Sequence, residues 1–179
     1  MNESSPYVVG ISGKIGSGKT ELATALSKFL NTQQTSFGAI VRLEARARGL
    51  NEFSREILQA VGQELVEADM KLFCQKVLDY ACFDGKMSLI VDGIRHLKVK
   101  ETLAALVLPI PFYLLYVEAE DSVRSERLTR RGGLSNLNIM HPTEQDVFGS
   151  LKEVADLHVN NNGSIIESVR MVETWLFDR

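Results

Sequence analysis

The sequence predicts an α/β sandwich: a mostly parallel sheet with helices packed on its faces. Three observations predict it. Short apolar runs recur and end at glycine or at polar residues: Tyr7–Ser12, Ser88–Asp92, Pro111–Val117 and Leu157–Asn160. The segments between them carry apolar residues at helical spacing, and strand-like and helical stretches alternate about five times. In sheets of this kind ligands bind beyond the carboxyl ends of the strands. The residues just after each run are therefore the first candidates for chemistry.

Taken in order, Tyr7–Ser12 is β-branched and meets glycines, as a buried strand does. A helix follows, with Leu22, Ala23, Leu26, Phe29 and Leu30 on one side. Thr35–Val41 is expected as a second strand. Ser54 opens a helix with Ile57, Leu58, Val61, Leu65 and Val66 on one face, and Met70–Phe83 forms another. Ser88–Asp92 is a strand that ends in a carboxylate, Val99–Val107 is helical, and Pro111–Val117 is a strand. Asp121–Arg131 is a charged helix, and Gly132–His141 is a Gly- and Asn-rich loop. Thr143–Asp146 resembles a capping box that starts the next helix. Leu157–Asn160 is a last short strand, and Ile165–Phe177 a final helix.

With 179 residues, 45% hydrophobic and only 4 prolines, the chain fits one domain spanning 1–179. A net charge of −3 disfavours extended binding along nucleic-acid phosphates. Cys74 and Cys82 lie on one helical stretch, too far along it to bridge, which predicts free thiols in a reducing compartment. No apolar run is long enough for a membrane span, and Met1–Pro6 carries no apolar signal segment. A cytoplasmic protein is expected, a monomer or homodimer, with no membrane partner.

The strongest signal is Gly13-Lys14-Ile15-Gly16-Ser17-Gly18-Lys19-Thr20, which matches G-x-x-x-x-G-K-[ST] between a strand and a helix. The glycines let the backbone curl until several N–H groups face one point, and the helix adds its positive end there. Such a ring of donors suits a triphosphate. Lys19 reaches the β- and γ-phosphates as a point charge, and the Thr20 hydroxyl suits Mg²⁺. The pattern arises by chance in well under ~1% of chains this size, so it is read as a phosphate cradle for ATP. Asp92, at the end of its strand, is the acid expected to position Mg²⁺.

Arg124, Arg127 and Arg131 form one helical stripe, and Arg130 lies beside it. Like charges so placed repel unless an anion neutralises them. They are expected to close over the donor as a lid, about 124–142, and to stabilise the transferring phosphoryl while excluding water. Arg95, three residues after Asp92, and Arg42, after the second strand, are expected to hold an acceptor phosphate.

Nearly the whole chain resembles the nucleoside monophosphate kinase group of P-loop kinases, close to deoxynucleotide monophosphate kinases and dephospho-coenzyme A kinases. Gly13–Thr20 is similar to the P-loop, Gly38–Arg42 to the acceptor stretch Gly-Asp-x-x-Arg, and Asp92-Gly93-Ile94-Arg95 to the third-strand signature. Asp121–Gly132 resembles the lid entrance, and Leu157–Ser164 the last strand and turn near the donor base, which implicates Asn162. The resemblance implies a three-layer sandwich around a five-stranded parallel sheet of order 2-3-1-4-5, with a small lid. It implies transfer of the γ-phosphoryl of ATP to a small nucleotide-like acceptor. The residues implied are Lys19, Asp92, Arg127 and Arg131 for catalysis, Gly13–Thr20 with Arg124 and Asn162 for the donor, Arg42 and Arg95 for the acceptor, and Thr20 and Asp92 for Mg²⁺. Ala39 departs from the pattern, standing where the family has Asp. A hydroxyl acceptor benefits from a carboxylate base, whereas a phosphate acceptor is already an anion and needs positioning. The missing acid therefore favours a phosphate acceptor. A hydroxyl acceptor and a nucleotide-hydrolysing switch are the alternatives.

Overall fold

The computed structural model describes residues 5–130, 147 and 149–178. Five strands, β1 (Val8–Gly13), β2 (Gln33–Ser36), β3 (Leu89–Asp92), β4 (Phe112–Glu118) and β5 (Leu157–Asn160), form one parallel sheet of order β2-β3-β1-β4-β5. Among the described residues, seven helices connect and cover it: α1 (Lys19–Phe29), α2 (Phe37–Ala47), α3 (Arg55–Tyr80), α4 (Leu97–Leu106), α5 (Asp121–Arg130), α6 (Ser150–Glu153) and α7 (Ile165–Phe177). The predicted sandwich and strand order are both observed. No described helix is long and apolar enough to cross a membrane.

The central strands β1, β3 and β4 are buried on both faces, yet they still alternate. Val8, Leu89, Val91, Leu114 and Tyr116 join the core under α2, α3 and α4. Val9, Ile11, Ile90, Leu115, Val117 and Val159 join a second core with Leu22, Ala23 and Leu26 of α1 and Val169 and Val172 of α7. Successive side chains of a strand point to opposite faces, so each apolar run serves both cores.

The register aligns the strand ends. Asp92 lies opposite both Ile11 and Ser36, Gly13 opposite Val117, and Glu118 opposite Asn160. The carboxyl ends of all five strands thus meet at one edge, where every candidate segment begins.

Two boundaries differ from expectation. The second strand, expected over Thr35–Val41, is Gln33–Ser36 and gives way to α2. Ser36 is extended and its hydroxyl accepts the Ala39 N–H at 3.0 Å, which caps the helix. Phe37, Ile40, Val41 and Ala45 are then buried at helical spacing. The two helices expected after Ser54 run on as α3, broken at Asp69, whose φ of −160° and ψ of 92° are not helical. The Asp69 carboxylate accepts the Leu72 N–H at 2.8 Å and so caps the second half. The predicted Gly132–His141 loop, the capping box at Thr143–Asp146 and Arg131 lie outside the described residues.

Candidate active site

The loop between β1 and α1 has the backbone that its glycines permit. Gly13, Gly16 and Gly18 have φ of 143°, 79° and 91°, a region L side chains rarely adopt. Space forbids a side chain there as well. A Cβ on Gly13 would collide with the Val117 carbonyl oxygen, and one on Gly18 with the Asn161 side-chain amide.

Lys19 folds back across the loop, its Nζ donating to the Lys14 carbonyl at 2.9 Å. The Thr20 hydroxyl donates to Asp92 Oδ2 at 2.6 Å, which joins the first turn of α1 to the end of β3. Asp92 is only 5% exposed, and its Oδ1 is buried with no partner among the described residues. The buried hydroxyls of Ser12 and Ser17 also lack partners there. An orphaned carboxylate oxygen beside a hydroxyl is a hard-oxygen pair that suits Mg²⁺, an ion that keeps water and substrate phosphates in its shell. Among the described residues no cluster of three or more His, Cys, Asp or Glu could cage a metal. The fit is therefore to a cation that takes its other ligands from phosphate and water.

The structure redistributes the arginine stripe. Arg124 does not face outward; it is 2% exposed, packed beneath the loop. Its Nε donates to the Ile15 carbonyl at 2.8 Å and its Nη1 to Asp121 at 2.5 Å. Arg127 lies partly buried against the same loop, with Nη1 donating to the Ser17 carbonyl at 3.2 Å and Nη2 to the Asn161 carbonyl at 2.9 Å. Arg130 stays exposed and pairs with Glu126 at 2.7 Å. Among the described arginines, Arg127 is held by backbone carbonyls, Arg124 by a carbonyl and Asp121, and Arg130 by Glu126.

Asn162 is tied to the residues before α5. Its Oδ1 accepts the Glu120 N–H at 2.7 Å. The residue at the loop is its neighbour Asn161, 1% exposed, whose amide donates to the Ser17 carbonyl at 2.8 Å. Sequence reasoning passed over Asn161. The signal was available, since it is the first residue after β5, where strand ends gather.

On the other side of Asp92, Gly93 and Ile94 both donate N–H groups to the Ile11 carbonyl, each at 3.1 Å, and turn the chain away from β3. Half-buried Arg95 follows that turn. A Cβ on Gly93 would lie 4.0 Å from the Gly38 nitrogen, so the start of α2 lies beside the turn. Arg42, exposed on α2, leans over this end, its Nη1 3.4 Å from the Gly38 carbonyl. Arg42 thus lies beside the start of α2, and Arg95 follows Asp92 by three residues.

Comparison with known proteins agrees with this geometry. The AAA domain family model matches residues 9–140. A cytidylate kinase of Staphylothermus marinus is 27% identical over 138 residues, 76% of this chain and 69% of that one. A UPF0200 protein of Aeropyrum pernix is 31% identical over 124 residues, 69% of this chain and 64% of that one. Among solved structures, a shikimate kinase from Acinetobacter baumannii, in complex with shikimate, aligns with a TM-score of 0.60 at 15% identity, covering 98% of this chain and 95% of that one. A sugar kinase from Janibacter aligns at 0.59 and 16% identity, covering 97% and 95%. At such identities the structures speak to the fold alone. The family match over most of the chain, the kinase relative and the phosphate loop agree: the chain belongs to the AAA domain family and is a P-loop kinase.

Proposed function

We propose that residues 1–179 form one catalytic domain that transfers the γ-phosphoryl of ATP to a small nucleotide-like acceptor, a nucleoside or deoxynucleoside monophosphate. The observation that carries this reading is the junction of Thr20 and Asp92 at 2.6 Å beside the phosphate loop. The donor's phosphates lie along Gly13–Thr20, where loop amides and Lys19 bind them. Bound Mg²⁺, held by Thr20 and Asp92, supplies positive charge on the donor oxygens. Arg127 adds fixed positive potential at the loop, and Arg131 is the candidate to stabilise the transferring group.

In the acceptor site, Arg95 and Arg42 orient an acceptor phosphate. An oxygen of that phosphate attacks the γ-phosphorus in line; the bond to the β–γ bridging oxygen breaks, and ADP leaves with its electron pair. No proton need be removed from a phosphate that is already ionised, which accords with Ala39 in place of an acid. The cytidylate kinase relative supports this acceptor class. Residues about 124–142 serve as the lid.

A screen of nucleoside monophosphates, deoxynucleoside monophosphates, dephospho-coenzyme A and shikimate, read by ADP release against a no-acceptor control, tests the reading. Acceptor-dependent release with a monophosphate is the expected result. Release only with a hydroxyl acceptor, or equal release without any acceptor, would overturn it.

A further inference from the structure

The outer side of the phosphate loop is held by side chains from two distant parts of the chain. Arg124 Nε donates to the Ile15 carbonyl, while Arg127 Nη1 and Asn161 Nδ2 both donate to the Ser17 carbonyl. In a trans peptide the C=O and the following N–H point in opposite directions. Pinning the Ile15 carbonyl outward therefore aims the Gly16 N–H inward, and pinning the Ser17 carbonyl aims the Gly18 N–H inward. The cradle's donor directions are set from behind.

Asn161 is the most constrained member of this support. Its backbone N–H donates to the Glu118 carbonyl at 2.8 Å, which places the residue past the end of β5. The Ser168 hydroxyl of α7 lies 3.0 Å from Asn161 Oδ1. The Ser17 carbonyl can only accept, which marks the amide atom facing it as the NH₂ and leaves Oδ1 to the Ser168 hydroxyl. The amide occupies the place a Cβ on Gly18 would fill, so this glycine gives room for Asn161 as well as for its own φ. Both Asn161 and Ser168 are buried, which shields the bond from bulk solvent.

We propose that Asn161 is a positioning residue for the donor: its amide, oriented by Ser168, holds the Ser17 carbonyl so that the Gly18 N–H faces the phosphates of ATP. It touches no reacting atom. The inference rests on the donor occupying this loop and is independent of the acceptor. Asn161→Asp is nearly the same size but presents an acceptor to an acceptor, and its charge also draws Arg127 off the Ser17 carbonyl.

Calorimetric titration with ATP·Mg²⁺ and with pyrophosphate·Mg²⁺ tests the proposal on the full chain, with the melting temperature of the unliganded variant alongside. Asn161→Asp should weaken both ligands by a similar factor, about 10–100-fold, the size of a lost hydrogen bond to a charged group. Its unliganded melting temperature should fall, since a charge is buried at a 1% exposed position, and affinities are compared at a temperature where the variant is folded. Ser168→Ala, which leaves Asn161 free to turn, should weaken both by a smaller factor of the same kind, and it carries the test if Asn161→Asp does not fold. Unchanged affinity in the folded variants would overturn the proposal. So would weakened ATP with unchanged pyrophosphate, which would place the effect at the base. A parent chain that binds neither ligand would defeat the donor reading itself.

Discussion

Asp92→Asn separates what the carboxylate does for the reaction from what it does for the fold. Asp92 is 5% exposed; one oxygen accepts the Thr20 hydroxyl at 2.6 Å and the other has no partner among the described residues. Keeping a charge there without full compensation is unfavourable; replacing whole buried ion pairs by apolar groups often stabilises by roughly 1–4 kcal/mol, which serves as an upper bound for this single carboxylate. Asparagine keeps an oxygen for Thr20 but leaves an NH₂ in the orphan position, which takes back about 1 kcal/mol. The expected net is about 0–3 kcal/mol of stabilisation without ligand. At roughly 2–4 °C per kcal/mol for a chain of this size, the melting temperature should be unchanged or rise by up to ~10 °C. Turnover should fall by a factor on the order of 10² or more, about 3 kcal/mol of transition-state stabilisation, because an amide holds Mg²⁺ poorly. Thermal melts without nucleotide or metal, paired with ADP release under saturating substrates, read both effects. A melting temperature lowered by more than about 4 °C would mean that the carboxylate is structural. A rate within threefold of the parent would remove Asp92 from the metal site.

Three further outcomes are expected. Lys19→Ala should cost 10² or more in turnover, on the order of 3 kcal/mol, with circular dichroism unchanged; a near-parental rate would sink the assigned role of this lysine. Arg95→Ala should raise acceptor KM and lower kcat/KM by roughly 2–4 kcal/mol while ATP·Mg²⁺ affinity stays put, and Arg95→Lys should restore only part of it. Collapse of ATP binding instead would move Arg95 to the donor side. Burial pushes the Cys74 thiol up to about 12, so at pH 8 it stays protonated. A thiol reagent should then modify exposed Cys82 and spare Cys74 until the protein is denatured; two fast equivalents in the native state would contradict this.

Much of this molecule was legible in the sequence, because the responsible interactions are local. The fold class follows from apolar runs whose alternate residues feed two cores, and the cradle follows from glycines at positions that need positive φ. Asp92 could be placed because a strand that ends in an acid delivers it to the sheet's carboxyl edge. The β2–α2 boundary was harder, since Phe37, Ile40 and Val41 suit a strand or a helix by composition. The Ser36 cap and the neighbouring helices decided for the helix.

Other assignments belonged to the tertiary structure alone. Arg124 and Arg127 look alike in the sequence, yet one lies sealed under the loop and the other at its edge, because the angle at which α5 meets the loop decides which carbonyls each can reach. Asn161 and Asn162 are adjacent residues of one kind. Which of them faces the loop depends on the register of β5 against β4 and on a serine of α7, contacts made between segments far apart in the chain. A sequence lists the donors and acceptors and the local turns that carry them. The partner each one finds depends on how the layers pack, since an outward-facing carbonyl is satisfied by whatever the packing brings within hydrogen-bond distance.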